Sequence, residues 1–147
     1  MSVSFKDFLN SAEKLLDKNN QEIDFRNLIS RSYYALYHLA EEKAKELNLP
    51  PQTDLSGEEL KTTHEKLIIK FEFHNDEKLK QIGREISRLK NARGAADYSL
   101  KKTHIFYNKA EAHLLSVKKL IDELNNLQEV SNPPSDKNKK TSLKILK

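Results

Sequence analysis

The chain is 147 residues long with no cysteine, three glycines, four prolines and 33% charged residues. That length suits one domain with a real core, the absence of cysteine excludes a disulfide framework and a thiolate metal centre, and the scarcity of glycine and proline predicts an all-α protein. The net charge of +4 does not describe a basic surface, because Lys137, Lys139, Lys140, Lys144 and Lys147, with Asp136 as their one acid, account for all of it. Removing these from the 26 basic and 22 acidic residues leaves 21 of each in residues 1–130. Capture of a polyanion therefore falls to a local cluster or to the tail. The longest apolar runs are only a few residues and no charged-then-apolar leader opens the chain, so no membrane partner is expected and the predicted location is the cytoplasm.

The first predicted helix, Ser4 to Lys18, puts Phe5, Phe8, Leu9, Ala12, Leu15 and Leu16 on one face, with Ser4 as its N-cap. Gln21 to about Leu47 follows, with Phe25, Ile29, Leu36, Ala40, Ala44 and Leu47 at helical spacing and Pro50-Pro51 forbidding continuation. Its middle, Arg31-Ser32-Tyr33-Tyr34-Ala35-Leu36-Tyr37-His38, aligns Arg31, Tyr34 and His38 along one strip that is too aromatic for an ordinary solvent face. Such a strip either packs its rings inside with the hydroxyls at the rim, or flanks a cleft or dimer interface.

Ser56-Gly57-Glu58-Glu59 has the form of a capping box and predicts a short helical turn. Thr63 is the expected cap of a short helix carrying Leu67, Ile68, Phe71 and Phe73, and Asn75-Asp76 caps the next helix. In that helix Leu79, Ile82, Ile86 and Leu89 form an apolar stripe whose next members are Arg93 and Ala96, and it should fail between Gly94 and Ser99. A guanidinium on an apolar stripe needs a partner, either a carboxylate or a phosphate. A last helix is predicted from Thr103 to Glu129, with Phe106, Ala110, Leu114, Val117, Ile121 and Leu124 facing inward; residues 131–147 read as a disordered basic tail. The expected architecture is an antiparallel up-down bundle of four main helices plus one or two short ones over residues 1–130.

Several chemistries fail on spacing. A carboxylate-bridged di-iron bundle needs Glu three residues before His, and Ala35, Lys61, Phe71, Lys101 and Ala110 stand there instead. His64-Glu65 is not followed by the second histidine of a zinc-protease helix, and Gly57, Gly83 and Gly94 are isolated, so neither a metal site nor a phosphate-cradling loop is expected and no cofactor is predicted.

Ile29-Ser30-Arg31-Ser32-Tyr33-Tyr34-Ala35-Leu36-Tyr37-His38 resembles the Ser-Arg-x-Tyr-Tyr-Ala-x-Phe-His segment of prokaryotic HEPN-domain proteins, and Arg93-Gly94-Ala95-Ala96-Asp97-Tyr98 resembles their Arg-x-x-Ala-Asp-Tyr segment. Thr63-His64 falls where these proteins tend to have a Ser/Thr-His pair. The resemblance covers roughly residues 4–129 and implies a HEPN-like helical bundle that commonly homodimerises around a cleft. It also implies work on RNA or nucleotide in toxin-antitoxin or antiviral defence modules, often beside a partner nucleotidyltransferase or antitoxin protein. In ribonuclease members an arginine followed by a histidine cleaves RNA without metal through the 2′-hydroxyl.

Counted from Arg93, the positions for that histidine are Tyr98, Ser99 and Leu100. A phenol titrates near 10 and an imidazole near 6.5, so Tyr98 does not replace the histidine as a proton exchanger at neutral pH. His38, seven residues after Arg31, and His104, just beyond the motif, are the substitutes present. The candidate catalytic residues are therefore Arg93, Tyr98, Asp97 and His38, and the candidate RNA- or nucleotide-binding residues are Arg31, Tyr34 and Arg93. Asp97 carries the competing reading: it can pair with Arg93 one turn back on the same face or reach Arg31, and either pairing would form a purely structural polar network.

Overall fold

A computed structural model describes residues 2–52 and 62–131, with side chains to Leu127. The chain is all-α: α1 (Phe5–Glu13), α2 (Glu22–Glu46), α3 (Thr63–Glu72), α4 (Glu77–Tyr98) and α5 (Tyr107–Ser131), with no strand among the described residues. This is the helical-bundle class expected from composition and periodicity. No described helix is long and apolar enough to cross a membrane. The turn predicted at Ser56–Glu59 and the tail beyond Ser131 lie outside the described residues.

The helix ends follow local hydrogen-bond chemistry. Ser4 caps α1 as expected, its Oγ accepting from the Lys6 amide at 3.2 Å while Asp7 accepts from the Ser4 amide at 2.8 Å. The helix stops at Glu13, five residues short of the predicted end at Lys18, because Asn20 donates its side-chain amide to the Leu15 carbonyl at 2.9 Å and Asp17 accepts from the Asn19 amide at 2.8 Å. Those side chains hold residues 15–20 in turns, from which Leu15 and Leu16 still reach the core.

At the end of α2, Asn48 takes a left-handed conformation (φ 54°), Leu49 donates to the Ala44 carbonyl at 3.0 Å and Asn48 donates to Lys45 at 3.1 Å. This is a Schellman closure, with the buried Leu49 as its apolar contact and Pro50 following. The cap of α3 is Thr62, not Thr63: Glu65 donates its amide to Thr62 Oγ1 at 3.0 Å and accepts from the Thr62 amide at 3.3 Å, and a Thr-x-x-Glu box places the threonine three residues before the glutamate. Asp76 caps α4 through the Leu79 amide at 3.0 Å.

The chain divides into two compact units. The first holds residues 2–39 and 88–121 among the described residues. Its core joins Ala12, Phe25, Leu28 and Ile29 to Ala96, Ile105, Ala110 and Leu114, with Leu9, Leu15, Leu16 and Tyr107 packed around them. The second holds residues 40–52, 62–87 and 122–131 among the described residues, with Leu67, Ile68, Phe71, Leu79, Ile82, Ile86 and Leu124 buried.

Within the second unit, α4 meets the end of α3 at Gly83. A Cβ there would stand 2.4 Å from the Glu72 nitrogen and 2.7 Å from its Cα, and backbone atoms cannot swing aside. Gly83→Ala is therefore expected to destabilise the protein by about 2–3 kcal/mol and to lower Tm by roughly 5–10 °C. Helix propensity alone would make the same change stabilising by about 1 kcal/mol. Gly94→Ala on the same helix, where an added Cβ meets nothing within 4 Å, is the matched control. A Gly83→Ala protein at least as stable as the Gly94→Ala protein in thermal melts would refute the close approach.

Candidate functional site

The first unit brings the two motif segments together. Four residues along α4 is one turn, so Arg93 and Asp97 share a face, and Arg93 Nη1 meets Asp97 Oδ2 at 3.3 Å. The Arg93 guanidinium carbon lies 5.7 Å from the centre of the Tyr33 ring and 5.6 Å from that of Tyr34, both on α2. These are cation–π distances. Ser30 Oγ, one turn earlier on α2, stands 3.4 Å from Asp97 Oδ2.

Beyond Tyr34 the rings continue. His38 lies 6.4 Å from Tyr34, 5.4 Å from Tyr37 and 5.1 Å from Phe8 of α1, measured between ring centres. Arg93, Tyr34 and His38 thus form a continuous row, backed by Tyr33 and Tyr37 and closed at one end by Asp97.

The electrostatics of this row keep Arg93 charged. Its side chain is 14% exposed, and burial works against the charge, but Asp97 and the Tyr34 and Tyr33 phenols outweigh burial and raise its pKa above the ordinary value. Burial pushes the Tyr33 phenol well above its usual range, so it stays protonated. Arg93 Nε is buried without a hydrogen-bond partner, so the pair with Asp97 leaves part of the guanidinium's donor capacity unused.

Of the residues singled out by sequence, Arg93, Asp97, Tyr34 and His38 meet in this cluster. Tyr98 is 78% exposed, one residue past the end of the cluster's face, and Arg31 is exposed and donates to Ser11 Oγ of α1 at 2.6 Å. Asp97 is therefore engaged by Arg93 and Ser30. His104 is exposed, its Nδ1 3.8 Å from Glu22 Oε1. No group of three or more metal-ligating side chains occurs among the described residues.

Two functional groups went unnoticed in the sequence. Arg26 is buried and donates to the carbonyls of Ala95 (3.4 Å), Ala96 (2.8 Å), Ser99 (3.3 Å) and Thr103, while Glu22 accepts from its Nε and Nη2 at 3.1 and 2.9 Å. Glu22 also accepts from the Ile105 amide at 3.0 Å, and that bond, ahead of Arg26 and His104, holds its carboxyl below the usual carboxylate range. This network keeps residues 103–105 out of a helical ladder, which is why α5 starts at Tyr107 rather than Thr103 and why Phe106, predicted to face inward, is 61% exposed. The available signal was spacing: Arg26 precedes buried Ile29 and Tyr33 by three and seven residues and follows Glu22 by four.

His113 is the other. It lies three residues after Ala110 and four before Val117, both buried, and its own residue is 6% exposed. Burial, and then the Arg88 charge, push its pKa down to about 4 even though a hydrogen bond to the Ile29 backbone works the other way. Lowered below the unfolded-state value near 6.5, this group leaves the unfolded chain binding the extra proton between those limits, so stability falls as pH drops through that window. From pH 7 to pH 5 the loss assigned to His113 is roughly 2 kcal/mol. Urea unfolding of wild type and His113→Leu at both pH values measures it: the variant should show the smaller pH dependence, and parallel curves would contradict the shift.

No protein-family model, no curated protein and no solved structure matches the chain.

Proposed function

We propose that the chain is a HEPN-type domain, an antiparallel up-down bundle acting in the cytoplasm as a homodimer within a prokaryotic defence or toxin-antitoxin module, and that it holds RNA or a nucleotide at the Arg93 cluster in the dimer cleft. The observation that supports this reading is the convergence of two segments some sixty residues apart: Arg93 of one stands over Tyr34 of the other, and His38 lies against that same ring. Aromatic faces suit bases and a guanidinium suits phosphate. Where the bound strand is cleaved, the route is metal-independent: the 2′-oxygen attacks the adjacent phosphorus as His38 takes its proton, and Arg93 stabilises the charge developing on phosphate. The P–O5′ bond breaks to leave a cyclic phosphate and a 5′-oxygen that is protonated by His38 or water, an exchange Tyr98 cannot perform at neutral pH.

Fluorescence anisotropy with a short single-stranded RNA in the presence of a chelator tests binding. The expected result is chelator-insensitive binding that weakens as salt rises. Binding that Arg93→Gln leaves unchanged would remove the cluster from the assignment, and RNA product that accumulates with wild type but not with His38→Asn would establish the cleavage route.

A second reading rests on a different observation. Ile23, Tyr98, Leu100 and Phe106, all in the first unit, are large apolar residues 57–78% exposed. Such residues suit a non-catalytic module that docks a partner nucleotidyltransferase or antitoxin protein. A stoichiometric complex with a neighbouring gene product, together with no RNA binding, would favour it.

A further inference from the structure

The first unit is basic, although residues 1–130 as a whole are formally neutral. Its residues 2–39 hold five acids and five lysines and arginines, but residues 88–121 hold eight lysines and arginines against Asp97 and Glu111. Two of the eight, Lys101 and Lys102, are exposed and make no ion pair among the described residues. The acids of that neighbourhood are committed elsewhere: Glu22 to Arg26, the Ile105 amide and His104, and Asp97 to Arg93.

These two lysines stand within an apolar patch. Tyr98, Leu100 and Phe106 flank them along the chain, and Ile23 follows Glu22, whose carboxylate takes the Ile105 amide at 3.0 Å. All four apolar side chains are more than half exposed. The backbone beneath them is fixed: Arg26 holds the Ser99 and Thr103 carbonyls, the Thr103 amide donates to Ser99 at 3.3 Å, and the Phe106 ring stacks on His104 with centres 6.4 Å apart. A surface pinned in this way loses little freedom when a partner lands on it. Exposed apolar side chains grouped with charge of one sign suit a partner that carries the opposite sign.

We propose that this patch docks a short acidic segment of a partner protein, its carboxylates meeting Lys101 and Lys102 and its apolar side chains covering Ile23, Tyr98, Leu100 and Phe106. This rests on the exposed residues being a docking surface, as in the second reading above, and adds the chemistry of what occupies it. Two other polyanions fit less well. RNA draws on stacking faces and guanidinium forks, and Ile23, Leu100 and the two lysines offer neither. An anionic bilayer that took up Ile23 would meet Glu22 and Asp24, which bracket it and repel lipid phosphates.

The test is NMR titration of the full chain with three synthetic octapeptides. The first sets leucine and phenylalanine among glutamates, the second has glutamine for every glutamate, and the third has alanine for both apolar residues. The first should shift the Ile23 and Leu100 methyls and the Tyr98 and Phe106 rings with saturation, and each of the others should bind at least tenfold more weakly. Lys101→Gln combined with Lys102→Gln should weaken the first peptide about tenfold, and Leu100→Ser about threefold or more. Neither change should alter Tm, because all three positions are exposed. Equal affinity for the glutamine peptide would overturn the proposal and leave an apolar docking surface standing, whereas no saturable shift with any peptide up to 10 mM would remove both. Cosedimentation with phosphatidylserine vesicles that the lysine double variant loses, RNA shifts centred on these residues, or patch shifts that grow with protein concentration alone, the mark of a second copy, would each give the patch to another occupant and overturn the proposal. RNA affinity should be unchanged by Leu100→Ser, which separates failure here from failure of the Arg93 reading.

Discussion

Replacing Arg26 with methionine is expected to lower stability by about 4 kcal/mol or more, the largest effect of any single substitution considered. Methionine keeps most of the aliphatic volume, so the loss isolates the guanidinium. That group satisfies the carbonyls of Ala95, Ala96, Ser99 and Thr103 and pairs with Glu22. Of these, the Ala96 carbonyl belongs to the last turn of α4, where Arg26 caps it from the neighbouring helix, while the Ala95 and Ser99 carbonyls also accept from the Ser99 and Thr103 amides at 2.9 and 3.3 Å. Removing one partner of a buried charge network costs about 3–5 kcal/mol, and the stranded Ala96 carbonyl adds to it. Arg26→Lys should be intermediate, because an ammonium keeps the charge but cannot span four acceptors. Urea unfolding monitored by circular dichroism reads both; a loss under about 1 kcal/mol for Arg26→Met would show that water serves these carbonyls equally well.

The second large effect is at Arg93, where stability and function separate. Arg93→Met should cost about 2–3 kcal/mol, because Asp97 keeps only Ser30 and the Tyr33 and Tyr34 rings lose their cation. A double-mutant cycle with Asp97→Ala should return a coupling of about 1 kcal/mol or more. RNA affinity should fall at least tenfold in the same variant. Asp97→Asn gives the discriminating result: if Arg93 meets phosphate, neutralising its resident carboxylate removes a competitor, and affinity should rise about threefold to tenfold. If the pair is only structural, Asp97→Asn destabilises the fold and leaves RNA binding where it was.

Much of the fold was readable because periodicity and caps are local. The Ser4 and Asp76 caps, the end of α2 before Pro50-Pro51 and the stripe through Leu79, Ile82, Ile86 and Leu89 follow from spacing within one segment. What escaped was decided by residues far along the chain. Residues 103–105 sit between two helical patterns, and Arg26 and Glu22, some eighty residues earlier, hold them outside both helices. Leu15 and Leu16 continue the apolar pattern of α1, but Asn20 takes the Leu15 carbonyl and the helix ends early. The cluster divided in the same way. Arg93 and Asp97 were paired correctly as one alternative because i and i+4 is a local relation, whereas the partner of Arg31 is Ser11, which depends on how α1 lies against α2. Arg26 and His113 were passed over because a charged or titratable residue on an inner helical face has no sequence motif; its meaning comes from the carbonyls or core it meets.

The Arg93, Tyr34 and His38 row is the proposed binding place for RNA or nucleotide. At 17.1 kDa the protein suits assigned NMR, so the most direct measurement is a titration of the full chain with a short single-stranded RNA while the aromatic resonances of Tyr33, Tyr34, Tyr37 and His38 and the Arg93 side chain are followed. Saturable shifts concentrated on those residues and abolished by Arg93→Gln are the expected result. Shifts confined to Tyr98, Leu100 and Phe106, or no saturable shift at all, would contradict it.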